Sequence, residues 1–479
     1  MVLKSFAFRL GSQVSSSIKG LFIMPLIINY AGDFDYMVWS QIQSTTSFLV
    51  PALIMRMETG NLRYLAKRTN EKLINSFYLA TLGLIGFLSV LVLSVILLFQ
   101  NSVSNIMFGS IGQTSFVQLF VWFLLSSTLY SYCTQYFRIK HNIVLLSKLD
   151  FVNNVFWVLL SMFLFGRFDS AISYLLLGIT TFQACIVGAI IFKITQNTSL
   201  IRIIKVSRYV RPVLAYSIPL IPTGMLLWIM NLSDRYFILH MLGEQPTAIY
   251  SANYQFGSLL NFLIAPVIFV VFPIIMKLWD LKYEQRAVKS IEKLIQYYTL
   301  LGVLALILIV ICTPFVIGLL AKDSYILNDY SLLYIGLGVL VFGFYQLVLL
   351  VLHIKKKTRV AVYITFVGAV VNLILNYILI DLMGIEGAAL STLFSYSIIL
   401  LLLIIITRKE IALRLDSKVW IYLLVGTLVF MIASQFHIMS LAKILITILA
   451  VPMVYFGILV VSRSLKKQEL EDIRYLFKV

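Results

Sequence analysis

Charged and strongly polar side chains are sparse in this chain, and three groups of them have a spacing that could do chemistry. Ser12, Ser15 and Lys19 fall at i, i+3 and i+7, on one face of a helix. Asp234 and Arg235 stand side by side in an otherwise apolar run. Tyr250, Asn253 or Tyr254, Gly257 and Asn261 share a face of the helix that follows. A guanidinium suits bidentate contact with phosphate, and a lysine acts as a point charge. Lys19 and Arg235 would therefore present cations to a phosphate or an acidic sugar. Asp234 would orient Arg235 or take part in ion coupling, while Ser12, Asn253 and Asn261 would supply neutral polar lining. The competing structural roles are snorkelling of Lys19 toward the membrane edge with Arg9, and local neutralisation of Arg235 by Asp234.

These residues sit in a chain that is 61% hydrophobic and only 12% charged, about half the charged fraction of a soluble domain. No charged residue occurs between Lys72 and Arg138, a stretch long enough for two membrane helices of about 20 residues each. Asn101, Ser102, Ser104, Asn105, Gly109, Gly112 and Gln113 supply a turn in its middle. Similar charge-poor runs continue to the end of the chain. With two more polar crossings at the N-terminus, they predict an all-α, polytopic membrane protein of about fourteen transmembrane helices. The N-terminus lacks the long apolar stretch and small-residue cleavage pattern of a signal peptide, so the first helix is expected to stay.

The net charge of +18 matters here through its placement. With the N-terminus inside, all but five of the 38 basic residues fall in inward segments, among them Lys4, Arg9, Lys67, Arg68, Arg202, Lys205, Arg208, Arg463, Lys466, Lys467, Arg474 and Lys478. Arg167, Lys322 and Lys443 fall outside, and Lys19 and Arg235 lie within spans. Both termini are expected to be cytoplasmic, and the basic excess is an orientation signal, not a nucleic-acid surface.

Four pairs of segments recur in the same order. "GDFDYMVWS" from Gly32 matches "GEQPTAIYS" from Gly243, and "EKLI" from Glu71 recurs from Glu292. "RIKHN" from Arg138 matches "HIKKK" from His353, and "GRFDSAIS" from Gly166 matches "GIEGAALS" from Gly384. An even number of crossings per repeat makes the repeats parallel. The division that follows is an N-terminal six-helix half (1–200), a second six-helix half (201–409), and two extra helices with a tail (410–479). Such a duplication is a transporter architecture, with a cleft between halves. Polar residues concentrate in crossings one, two, seven and eight, whereas three to six and nine to twelve read as nearly uniform hydrocarbon. Pro219, Pro222, Pro266 and Pro273 should bend crossings seven and eight. Asn372 and Asn376, at i and i+4 in crossing eleven, read as interhelical hydrogen-bonding glue.

Cys133, Cys185 and Cys312 form no metal-ligand spacing, and His141, His240, His353 and His437 are scattered. No HExxH, GxSxG or P-loop pattern occurs. The longest outward connection is short and uncharged, so neither an enzyme nor a cofactor is expected.

The stretch "LSDRYFILHMLGEQPTAIYS" (Leu232 to Ser251) resembles the seventh-to-eighth crossing of bacterial polysaccharide transporters. "VVNLILNYILIDLMGIEGAALSTLFSY" (Val370 to Tyr396) resembles their eleventh and twelfth crossings, and "YMVWSQIQSTTSFL" the entry to their second. The family is that of O-antigen and polysaccharide flippases of the Wzx type, within the MATE-like MOP superfamily that also holds lipid II flippases and multidrug antiporters. The resemblance implies translocation of an undecaprenyl-pyrophosphate-linked oligosaccharide from the cytoplasmic to the outer leaflet of the bacterial inner membrane. It also implies coupling to H+ or Na+, contact with membrane lipid, and a polysaccharide polymerase as partner. It places the family's Asp-Arg pair on Asp234 and Arg235, and its basic cavity residue in crossing one on Lys19. The alternative within the superfamily is a cation-coupled multidrug exporter. Such a carrier should prefer acidic cavity residues, whereas Lys19 and Arg235 face only Asp234 in this count.

Overall fold

The structure, a computed structural model, describes residues 2–65, 70–196, 198, 210–327, 329–435, 440–462 and 464. Of the basic residues used above for orientation, Lys67, Arg68, Arg202, Lys205, Arg208, Arg463, Lys466, Lys467, Arg474 and Lys478 lie outside the described residues, as do His437 and the side chains of Lys4 and Arg9.

Among the described residues all regular structure is helical. The chain runs through α1 (Val2–Tyr30), α2 (Asp33–Leu53), α3 (Met57–Leu65), α4 (Glu71–Leu98), α5 (Gln100–Phe108), α6 (Thr114–Ile139), α7 (Ile143–Leu164) and α8 (Ala171–Thr195). The seventh crossing is built from α9 (Val210–Ser217), a 3-10 turn at Ile218–Leu220, α10 (Ile221–Leu232) and α11 (Asp234–Leu242). The eighth consists of α12 (Glu244–Gly257), a second 3-10 turn at Ser258–Leu260 and α13 (Asn261–Asp280). Then come α14 (Glu284–Leu320), α15 (Ser331–Ile354), α16 (Thr358–Met383), α17 (Ile385–Arg408), α18 (Ser417–Ala433) and α19 (Leu441–Val461).

Eleven of these spans are long and apolar enough to cross a membrane. The sequence count of fourteen is reached by adding α1 and α2, which their serines and glutamines make more polar, and α18, which is shorter. The 3-10 turn in crossing seven contains Pro219 and is followed at once by Pro222, the second residue of α10, so that missing N–H groups interrupt the α ladder. Of the prolines in crossing eight, Pro266 and Pro273 stand inside α13, while the break at Ser258–Leu260 lies upstream of both.

The chain forms two compact units, Met1–Ser251 and Ala252–Val479. In the first, α1 packs on α7, and α6 packs on α4 and α8. In the second, α15 packs on α14 and α17 in the same way, and α16 packs on α17. The corners repeat as well. Gly32 before α2 and Gly243 before α12 have φ 94° and 98°, with nearly identical ψ of −175° and −167°. That region is open to glycine and strained for other residues. After crossings four and ten, His141 and Lys356 both have φ 56°. The bond from His141 N to Arg138 O at 3.1 Å has its counterpart from Lys356 N to His353 O at 3.0 Å. These corners support the duplication more strongly than the sequence matches do, because they recur as backbone geometry. "EKLI" is used differently in its two copies: Glu71 opens α4, capped by Asn70, whereas Glu292 lies two turns inside α14.

Repeat kinship and packing draw different lines. Crossing seven belongs to the second repeat by sequence, yet it packs into the first compact unit. The physical reason is hydrogen bonding to α2. Trp228 Nε1 donates to Ser44 O at 2.8 Å and to Ser47 Oγ at 3.1 Å, and Gln41 Nε2 donates to the Arg235 carbonyl at 3.4 Å. Thr45 bonds the Tyr236 hydroxyl.

Close approach within the second unit is illustrated by Gly387 in α17. A Cβ there would penetrate the backbone of Leu379 in α16. Gly387→Ala should therefore destabilise the protein by about 1–3 kcal/mol, read as a lowered midpoint of thermal unfolding in detergent. Gly86→Ala, which would meet open space, should leave that midpoint unchanged or raise it.

Candidate functional site

The polar face of α1 is met by a polar face of α7. Asp150, Asn153, Asn154 and Trp157 fall at i, i+3, i+4 and i+7 along α7, one stripe of a helix. Asn154 Nδ2 donates to Ser15 Oγ at 3.0 Å, and Ser15 Oγ donates to Ser12 O at 2.8 Å. Lys19 is partly buried, its ammonium lying over the Trp157 ring at 3.6 Å. A contact this short between cation and ring face contributes about 0.5–2 kcal/mol, more as water is excluded. Asp150 is the carboxylate that acts electrostatically on Lys19. Between the two helices lies a cavity of about 260 Å³, lined by Ser12, Gln13, Ser16, Asp150, Asn153 and Asn154.

This corrects the expectation that crossings three to six are nearly uniform hydrocarbon. Crossing five carries half the cavity lining, and crossing six contributes buried Gln183, whose Oε1 accepts from Ser126 at 3.0 Å and Ser127 at 3.3 Å. It also corrects the charge count. Lys19 and Arg235 stand with Asp150 as well as Asp234: Arg235 pairs with Asp234, and Asp150 acts electrostatically on Lys19.

The second cluster is the Asp234–Arg235 pair at the start of α11. Asp234 is 1% exposed and Arg235 5%. Arg235 Nη1 lies 3.4 Å from Asp234 Oδ1 and donates to Asn231 O at 3.4 Å. The Tyr250 hydroxyl donates to Asp234 Oδ2, and the guanidinium stands 5.9 Å from the Tyr250 ring centroid. Gln41 Nε2 of α2 donates to the Arg235 carbonyl at 3.4 Å. Local neutralisation, the structural role weighed from sequence, is what this geometry supplies, and Arg235 is enclosed among protein groups.

Of the remaining expected lining residues, Asn253 is buried and donates from Nδ2 to Tyr325 O at 2.9 Å. Asn261 opens α13 and is partly buried. The structure thus places Ser12 in the lining of the chamber and Lys19 one helical stretch further along the same α1–α7 contact, against Trp157, and gathers Asp234 and Arg235 in another cluster, while Asn253 and Asn261 stand in the second compact unit. In crossings eleven and twelve, Ser391 Oγ donates to Asn376 Oδ1 between the helices, the interhelical glue expected of Asn376, while Asn376 Nδ2 donates to Asn372 Oδ1 at 3.1 Å within α16.

Where α2 ends, Met55 and Arg56 adopt φ of 54° and 52°, a left-handed turn that seats Arg56 against Gly224 of α10. Arg56 Nη1 lies 3.7 Å from Glu58 Oε1. Burial pushes the Glu58 carboxyl above its ordinary range, against the downward pull of Arg56. In the second unit a mainly apolar cavity of about 440 Å³ lies between α18 and α19, with Val429, Ile446, Ala450 and Val454 among its walls and Gln435 and Lys443 as polar members.

The chain matches the polysaccharide biosynthesis protein family over residues 2–279 and the MatE family over residues 219–378. Its fold is similar to that of the lipid II flippase MurJ in an inward closed conformation. The TM-score is 0.75 over 95% of this chain and 97% of that one, at 14% identity. An inward-facing multidrug resistance MATE family transporter of the MOP superfamily gives 0.66 over 84% and 98%, also at 14% identity. These likenesses establish an all-helical, MurJ- and MATE-like membrane fold. An uncharacterized membrane protein of Methanocaldococcus jannaschii is 24% identical over 205 residues, 43% of this chain and 40% of that protein's length.

If Asp234 and Arg235 neutralise each other, breaking the pair should cost more than removing both charges. Arg235→Met should destabilise by about 3–5 kcal/mol by stranding a buried carboxylate, and adding Asp234→Asn should recover much of that loss. Thermal unfolding of the single and double variants checks this, and equal midpoints for the two would refute the pairing.

Proposed function

The chain belongs to the polysaccharide biosynthesis protein family, a family of transporters and not of enzymes, and from that premise we propose that it is a flippase for an undecaprenyl-pyrophosphate-linked oligosaccharide. On this reading it carries the repeat unit of an O-antigen or other surface polysaccharide from the cytoplasmic to the outer leaflet of the bacterial inner membrane, by alternating access coupled to H+ or Na+. Residues 1–200 and 201–409 act as the two related halves, with 410–479 appended, and both termini are cytoplasmic. Its partners are the lipid-linked glycan, the coupling ion, membrane lipid and a polysaccharide polymerase.

The observation that carries this reading is the family match over residues 2–279. Two features of the molecule support it. An amphiphile needs a polar enclosure for its head, and the chamber between α1 and α7 supplies one. It also needs apolar surface for its tail, and the cavity between α18 and α19 has that character. Lys19, Asp234 and Arg235, with Ser12, Asn253 and Asn261, remain the proposed cargo-handling residues, joined now by Asp150, Asn153 and Asn154. The charge balance means that cargo charge no longer decides between a flippase and an exporter. The match to the MatE family over residues 219–378 favours the second reading, a cation-coupled multidrug exporter.

Deletion of the gene should abolish surface polysaccharide and leave lipid-linked repeat units on the cytoplasmic leaflet. Lys19→Ala or Arg235→Ala should impair export while the protein still reaches the membrane. Normal delivery of repeat units to the outer face in a deletion strain with no redundant flippase would refute the flippase reading. Drug sensitivity of that strain, with polysaccharide intact, would establish the exporter.

A further inference from the structure

The cargo proposed above has two polar parts, a pyrophosphate and a sugar, and the cavity between α1 and α7 suits one of them. Its lining comprises a carboxylate, Asp150, three amides, Gln13, Asn153 and Asn154, and two hydroxyls, Ser12 and Ser16. Amides and hydroxyls both donate and accept, and a carboxylate only accepts. A phosphate also only accepts, so Asp150 would repel it and half of the amide capacity would be wasted. A sugar hydroxyl donates and accepts at once, which matches every one of these groups.

Charge leads to the same choice. The Lys19 ammonium is withdrawn onto the Trp157 ring, at 3.6 Å, and its electrostatic partner is Asp150. The pair leaves the chamber close to neutral. The two asparagines are also held in fixed orientations. Trp157 Nε1 donates to Asn153 Oδ1 at 3.2 Å, and Asn154 Nδ2 donates to Ser15 Oγ at 3.0 Å. Among the described residues these bonds engage one polar atom of each amide. Asn153 Nδ2 and Asn154 Oδ1 remain as one donor and one acceptor on adjacent residues beside the Asp150 carboxylate. A volume of about 260 Å³ is below the roughly 300–1,000 Å³ of sites for drug-sized ligands. It admits a single sugar ring and not a polyprenyl chain.

We infer that this chamber is a subsite for one uncharged sugar residue of the lipid-linked glycan, recognised by Asp150, Asn153 and Asn154, with Lys19 acting as the counter-ion of Asp150 and not as a phosphate contact. The inference rests on the flippase reading and adds to it the part of the cargo that is read at this position. It assigns recognition of the pyrophosphate to other residues.

The test uses the full chain in proteoliposomes. Translocation is measured for undecaprenyl pyrophosphate without sugar and for the same lipid carrying glucose, galactose, N-acetylglucosamine or N-acetylgalactosamine. The wild-type protein should move at least one glycosylated lipid faster than the bare one. Asn153→Ala and Asn154→Ala should each slow that glycosylated lipid about tenfold and leave the bare lipid unchanged. Ser16→Leu, which fills the chamber from an exposed position, should do the same without removing a bond between helices. Equal losses for bare and glycosylated lipid in all three variants, or no preference for sugar in the wild type, would overturn the inference. Losses that affect both lipids and shift the sodium or proton dependence would place a coupling cation at Asp150 instead, and also overturn it. Failure of the wild type to move any of the lipids would refute the flippase reading itself.

Discussion

A polar group in the hydrocarbon of a bilayer must find its partner inside the protein, because no water is there to supply one. That constraint organises the described part of this molecule. Several polar groups of α2, whose composition is that of a water-lining helix, are engaged by crossing seven, in the bonds from Trp228 to Ser44 and from Gln41 to the Arg235 carbonyl. The same economy applies to charge. Arg235 has Asp234, and the Lys19 ammonium lies over the Trp157 ring with Asp150 acting on it electrostatically. Interhelical bonds of this kind contribute individually about 0.6–2 kcal/mol in membranes. Their larger effect is on which helices belong together, and they draw crossing seven into the first compact unit.

The duplicated scaffold does not carry duplicated chemistry. In the register set by the paired corners at His141 and Lys356, Asp150 of crossing five falls opposite Thr365 of crossing eleven, Asn153 opposite Gly368 and Asn154 opposite Ala369. Thr365 bonds its own helix at Ala361 O, 2.8 Å away, and Tyr345 at 3.1 Å. The positions that line a chamber in the first half are thus small or self-satisfied in the second. Corners are conserved between the halves as backbone geometry because each must reverse the chain in a fixed way. Side chains along a crossing are free to diverge once a partner helix satisfies them.

This difference also sets what could be read from the sequence. Helix number, the hairpin turns and the paired corner motifs follow from local patterns in the sequence, and the backbone takes like conformations at Gly32 and Gly243 and at His141 and Lys356. The partner of Lys19 is not local. Asp150 directly precedes a stretch without charge, residues 151–166, so hydropathy alone does not include it in a span, whereas α7 begins at Ile143, two turns earlier. The stripe of Asp150, Asn153, Asn154 and Trp157 was visible at helical spacing, but nothing in one sequence says which of the other crossings it faces. For the same reason the α2 residues could be recognised as polar and not as already engaged.

Charge balance inside the spans has a consequence for any carrier that must return empty. An uncompensated lysine or arginine near the middle of the bilayer costs at least about 2.5–3.5 kcal/mol, and a carrier that relied on its cargo to neutralise such a charge would pay this on every return stroke. With Arg235 paired to Asp234, and Lys19 over the Trp157 ring within the field of Asp150, that penalty is reduced in the empty protein at both places. Recognition can then rest on hydrogen bonds whose orientation is fixed beforehand, as the bonds to Trp157 and Ser15 fix the amides of Asn153 and Asn154. On the proposed reading, basic residues outside the spans, such as Lys355, Lys356 and Arg359 between α15 and the first turn of α16, are available to a charged headgroup. There a phosphate can exchange its hydration for an ammonium or guanidinium without either charge entering hydrocarbon alone.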